Sequence, residues 1–351
     1  MNRVVLSRTA ATLLLAFLGA LAWRALGLPL PWMIGPLLAT ATVSMLGAPT
    51  YSAAPLRNTG QWLIGTALGL YFTPEVMALV LRLWWAIFFA IGWSLAVGWT
   101  YGLWLDRKLA GLPAPVAVRR ATSYFAGAIG GASEMTLLAE RSGGRTDLVA
   151  AAHSLRMLIV TLGIPVAFQA SGLQGLDPAV AGPQGLRWAG LILLLSATGL
   201  ASFALTRTRS PNPWFIGAFG VAIVLTASGQ ELSGMPVALT NAAQLVIGVS
   251  LGVRFRAEFL HTAPRWLVAV AAGTGTMIFV SALFAAVVAW MTGLHVATLV
   301  LGTAPGGIAE MAITAKVLAL GVPVVTAFQV CRLVAVLLLV EPLYRYAIQP
   351  R

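Results

Sequence analysis

Apolar runs of about twenty residues recur from one end of this chain to the other, and that is the length at which a helix crosses the hydrocarbon core of a bilayer. The first lies near 9–27 and contains "TLLLAFLGALA"; the last lies near 323–346. In water such runs would need a charged coat. Only 9% of the 351 residues are charged and 59% are hydrophobic, against roughly a quarter charged in an ordinary soluble domain. The fold class that follows is an all-α polytopic membrane protein, with lipid as its immediate partner. A transmembrane β-barrel would show alternating segments of about ten residues, and that pattern is missing from the sequence. Arg3 and Arg8 ahead of the first run give it the look of a signal peptide. An equivalent run at 187–206 opens the second half, so the segment is read as the first spanning helix.

The chain is written twice. "PWMIG" at 31–35 returns as "PWFIG" at 213–217, and "NTGQWLIGTALG" at 58–69 returns as "NAAQLVIGVSLG" at 241–252. "GGASEM" at 130–135 returns as "GGIAEM" at 306–311, and "HSLR" at 153–156 returns as "QVCR" at 329–332. Four blocks in one order at near-constant offset indicate duplication. Residues 1–170 form membrane repeat 1, the Gly/Pro-rich stretch 171–186 a linker, and 187–351 membrane repeat 2. Each repeat holds six apolar segments.

The basic residues decide how the segments run. If all twelve crossed, the twenty loop cations would divide evenly between the two sides. If the GGxxEM segment of each repeat is instead re-entrant or broken, the repeats face opposite ways. Only Arg24, Arg82, Arg187 and Lys316 then lie outside, and the other sixteen lie inside, the asymmetry that positive-inside topology requires. The expectation is two inverted repeats of about five crossings, each with a broken or re-entrant GGxxEM segment, and both termini cytoplasmic at a bacterial inner membrane. A homo-oligomer is left open.

Paired interruptions in inverted repeats point to a transporter's binding site. The glycine pairs Gly130–Gly131 and Gly306–Gly307 mark them, and irregular backbone at that depth must be buried in protein or face water. Glu134 and Glu310 follow three residues later, where an ionisable group is costly and is read as functional by default. Capping of each half-helix is the structural alternative. Arg156 and Arg332 lie roughly 12 Å into their helices, with His153 and Gln329 one turn earlier on the same face. Their forks suit a carboxylate or phosphate-like group, or a structural ion pair with the glutamate of the same repeat. His153 is a candidate proton shuttle. Asn58, Gln61, Asn241 and Gln244 share helical faces with Gly-x-x-x-Gly pairs that allow close helix packing; the amides either line a cavity or tie helices together.

Other chemistries are excluded by what is missing. The net charge of +12 comes from cations scattered at the ends of apolar runs, so nucleic acid is not a partner. One cysteine, Cys331, and three dispersed histidines, His153, His261 and His295, give no metal site, no cofactor and no enzyme of the copper monooxygenase kind.

Taken together, "PWMIGP", "GGASEM", "HSLR" and their second copies resemble the AbrB-type membrane protein family, whose members also carry the labels ammonia monooxygenase and AbrB family transcriptional regulator. The similarity covers essentially the whole chain. It implies a relation to inverted-repeat cation/proton antiporters and anion transporters, hence a transport fold with crossed or broken helices. The expected function is a secondary transporter of a small anionic organic solute coupled to protons or sodium. The alternative is a membrane sensor that affects gene expression indirectly.

Overall fold

Both copies of the Pro-Trp block begin a helix in the same way. Leu30 and Asn212 take left-handed backbone angles (φ 50° and 45°), and Pro31 and Pro213 then occupy the first helical turn, where a missing N–H costs nothing. The computed structural model describes residues 3–109, 115–172, 185–208, 212–255 and 264–348. All regular structure among them is helical. In chain order the helices are α1 (Arg3–Ala25), α2 (Pro31–Met45), α3 (Ala54–Gly69), α4 (Pro74–Arg82), α5 (Trp84–Lys108), α6 (Val116–Gly127), α7 (Ala132–Arg141) and α8 (Thr146–Ala170). The second half supplies α9 (Trp188–Leu205), α10 (Pro213–Ala227), α11 (Val237–Gly252), α12 (Pro264–Thr292), α13 (Val296–Thr303), α14 (Ile308–Val317) and α15 (Val322–Ala347).

Among the described residues six helices are long and apolar enough to cross a membrane: α1, α5, α8, α9, α12 and α15. The α3–α4 pair, bent by 90°, makes a seventh if it is one span, and α10 and α11 are shorter apolar helices. Three of the six come from each half, alongside helices of 15 or 16 residues, α2 and α3 in one half and α10 and α11 in the other. Most of the expected linker, residues 173–184, lies outside the described residues, as do His261 and three of the cations counted as inside, Arg209, Arg256 and Arg351.

The sequence halves are not the compact units. One unit comprises Met1–Arg82, Gln169–Glu258 and Ala312–Pro323; the other comprises Leu83–Phe168, Phe259–Met311 and Val324–Arg351. Each draws on both repeats, so the repeats interleave.

In the first unit, glycine stripes seat one repeat against the other. A β-carbon on Gly65 would meet the Phe215 carbonyl oxygen at 2.6 Å, and one on Gly69 the Phe219 oxygen at 2.9 Å. Gly252 and Gly248 make the reciprocal approach to α2, at the oxygens of Leu37 and Met33. Only glycine permits backbones this close. Of the four amides expected on these faces, Gln244 is buried and Asn58, Gln61 and Asn241 are half-buried, all within this unit.

The second unit shows the direction of the repeats directly. The counterparts α5 and α12 touch at two levels. Trp93 stacks on Phe284 with ring centroids 4.8 Å apart, and the Tyr101 hydroxyl donates to the Val270 oxygen at 3.2 Å. Numbers rise along one helix as they fall along the other, so the two run antiparallel. The repeats are therefore inverted. Further ties join the halves: Trp266 Nε1 donates to the Leu148 oxygen at 3.1 Å and the Tyr124 hydroxyl to the Val340 oxygen at 2.8 Å. Tyr and Trp bury their rings here because each polar tip finds a carbonyl.

Candidate functional site

Each GGxxEM segment joins two short helices across a break. The chain leaves α6 at Ala128 (φ −56°, ψ 138°) and α13 at Ala304 (φ −57°, ψ 143°), passes the glycines in bends without helical structure, and re-enters a helix at α7 and α14. The Met135 amide closes the first turn of α7 on the Gly131 oxygen at 3.0 Å, and the Met311 amide closes that of α14 on the Gly307 oxygen at 3.1 Å.

The glycines do not serve a left-handed backbone, since none of the four has positive φ. They make room. A β-carbon on Gly130 would meet Met135 Cε at 2.8 Å, and one on Gly306 would meet Met311 Cε at 3.0 Å. One on Gly131 or Gly307 would collide with Oε2 of Glu134 or Glu310. The motif is thus a single device: two glycines admit the methionine and the carboxylate that fold back over them. Each carboxylate lies at the N-terminal end of its half-helix, where the peptide dipoles favour negative charge. Glu310 is buried and Glu134 half-buried.

A break also strands carbonyls at the end of the first half-helix. Arg156 and His153, from the middle of α8, take them in repeat 1. Arg156 Nη2 donates to the Ala128 oxygen at 2.9 Å, and Nη1 to the oxygens of Ala126 and Gly127 at 3.3 and 3.5 Å. His153 Nε2 lies 2.9 Å from the Phe125 oxygen, and its Nδ1 lies 2.7 Å from Arg156 Nη2. Repeat 2 does the same from α15. Arg332 Nη2 donates to the Gly306 oxygen at 2.8 Å and to Gln329 Oε1 at 2.6 Å, and Nη1 donates to the Ala304 oxygen. Gln329 Nε2 donates to the Leu301 oxygen at 2.6 Å and to that of Ala304 at 3.2 Å.

These bonds correct one expectation. In place of an ion pair within the repeat, the guanidinium forks donate to backbone carbonyls and to His153 or Gln329. Ion pairs among the described residues include Arg119–Asp106, Arg145–Asp147 and Arg345–Glu341. Arg156 and Arg332 are 3% and 6% exposed, and each keeps an unpartnered Nε.

The two breaks share a helix. Arg156 of α8 is bonded to the first break, while the neighbouring Met157 and Val160 press on the second. β-Carbons on Gly307 and Gly306 would meet Met157 Cε and Val160 Cγ1 at 2.9 Å each. Ten of the expected site residues therefore belong to one unit, and the four amides to the other. The carbonyl partners and the methionines were not singled out by sequence reasoning; the GGxxEM repeat itself carries the methionine signal. No three of His, Cys, Asp or Glu group as metal ligands among the described residues.

A family model described as "Transition state regulatory protein AbrB" matches residues 32–348. The chain is similar to YhjN of Bacillus subtilis (strain 168), described as an uncharacterized protein. The two are 27% identical over 347 residues, covering 91% of this chain and 88% of YhjN. No solved structure matches.

Proposed function

The chain belongs to the AbrB family, and from that premise we propose that it is a secondary transporter of a small organic anion, driven by protons or sodium. The observation that carries this reading is the pair of buried guanidiniums at the two breaks, bonded to backbone carbonyls and to His153 or Gln329 and each with a spare Nε–H. A charge in a low-dielectric interior is stabilised by a counter-charge. An anion suits such a charge, and the Nε–H of each guanidinium is the donor left to receive it. The N-terminal ends of α7 and α14 add partial positive charge at the same breaks. Glu134 and Glu310 are the coupling groups of this reading. A proton or sodium ion bound there lowers the cost of moving a carboxylate through the bilayer.

The family description favours a second reading, a membrane sensor acting on gene expression through a partner. Proteoliposome flux separates the two. The carrier reading expects uptake of a radiolabelled monocarboxylate or dicarboxylate from a solute panel, dependent on a proton or sodium gradient. Glu310→Gln should uncouple it, and Arg332→Ala should weaken solute affinity. A folded protein inert across the panel that co-purifies with one regulatory protein would favour the sensor.

A further inference from the structure

The sequence gives His153 no histidine counterpart, yet the structure gives it a functional one. In repeat 1 the imidazole lies between the Phe125 oxygen, 2.9 Å from Nε2, and Arg156 Nη2, 2.7 Å from Nδ1. In repeat 2 the Gln329 amide lies between the Leu301 oxygen, 2.6 Å from Nε2, and Arg332 Nη2, 2.6 Å from Oε1. Phe125 and Leu301 are separated by the same 176 positions as His153 and Gln329 in the aligned blocks. The two side chains thus make one bridge, from the carbonyl end of a broken helix to the arginine that holds it.

The bridge fixes the chemistry of the ring. A carbonyl oxygen only accepts, so Nε2 carries the hydrogen. A guanidinium only donates, so Nδ1 offers its lone pair. A neutral imidazole then has one donor and one acceptor, as an amide does along this line. A proton added to Nδ1 would remove the acceptor and place two N–H groups against each other beside a guanidinium. We propose that His153 is a positioning residue, a neutral Nε2–H imidazole that does for Arg156 what Gln329 does for Arg332, and that it relays no proton during transport. The role of Arg156 in solute binding rests on the carrier reading above; the bridge itself does not.

The test uses the full-length protein in detergent and in proteoliposomes, as wild type and as His153→Gln, His153→Ala and Gln329→His. Thermal melting should place His153→Gln and Gln329→His within a few degrees of wild type and His153→Ala clearly below. Nitrogen-15 NMR of the labelled side chain should show one neutral tautomer, protonated at Nε2, from pH 5 to 9. Where flux is measurable, His153→Gln should keep the wild-type pH profile, with a rate within about twofold. Titration of the ring inside that range, or a stable His153→Gln protein that has lost proton-dependent flux, would overturn the proposal. If wild type transports nothing on the panel, melting and NMR still decide the bridge, and the carrier reading alone fails.

Discussion

Arg156 and Met157 are adjacent in α8, yet the first is bonded to the break at Ala128 and the second packs against the other break at Gly307. One helix therefore holds both interruptions. A displacement of α8 would move the carbonyl end of one broken helix and the glycine hinge of the other together.

The arginines hold the breaks by a fork rather than by charge alone, so lysine should be a poor replacement. Arg156→Lys keeps the charge but offers a single point where carbonyls of three residues and a ring nitrogen are now served. Each carbonyl left without a donor costs about 1–3 kcal/mol. Thermal melting of the purified protein should show a clear loss for Arg156→Lys and Arg332→Lys. A lysine variant as stable as wild type would show that the fork is not needed.

The two second glycines of the motif should respond unequally to alanine. A methyl on Gly131 meets the carboxylate of Glu134, a flexible side chain that can swing away. A methyl on Gly307 meets both Glu310 and Met157, and its surroundings are more deeply buried. Overpacking of this kind costs about 1–3 kcal/mol. Gly307→Ala should melt below Gly131→Ala, and equal melting would contradict the packing at the second break.

Burial also ranks the carboxylates. Glu310 is 6% exposed and Glu134 is half-buried, so the charge on Glu310 is the harder to tolerate and the more dependent on a bound proton or cation. In proteoliposomes Glu310→Gln should abolish gradient-driven uptake while leaving solute exchange measurable, and Glu134→Gln should reduce uptake less. The reverse order would assign coupling to repeat 1.

The sequence shows the duplication, the inversion and the breaks because each leaves a mark in side-chain type: the repeated blocks, the placement of Lys and Arg, and the glycine pairs. It does not show what the arginines bind, because the partners are carbonyls, which every residue carries. The ion pair of Arg156 with Glu134 is a natural inference from charge, but the stranded carbonyls of Ala126, Gly127 and Ala128 take the fork instead. The glycines pose a similar limit. Their spacing marks a break, but their crowding by Met135 and Glu134 becomes visible only when the half-helix folds back. The interleaving of the repeats into two units is likewise a matter of which glycine stripe meets which helix, as Gly65 meets Phe215 across the duplication.

The inversion on which the carrier reading depends is tested most directly by the sidedness of Arg57 and Arg254. Arg57 lies in the first turn of α3, and Arg254 lies just beyond the end of its repeat counterpart α11. With repeats that face opposite ways, these positions emerge on the same side. In a Cys331→Ser background, Arg57→Cys and Arg254→Cys should both resist a membrane-impermeant thiol reagent in intact cells and both react after permeabilisation. Labelling of one from outside and the other only after permeabilisation would contradict the inverted arrangement and the account built on it.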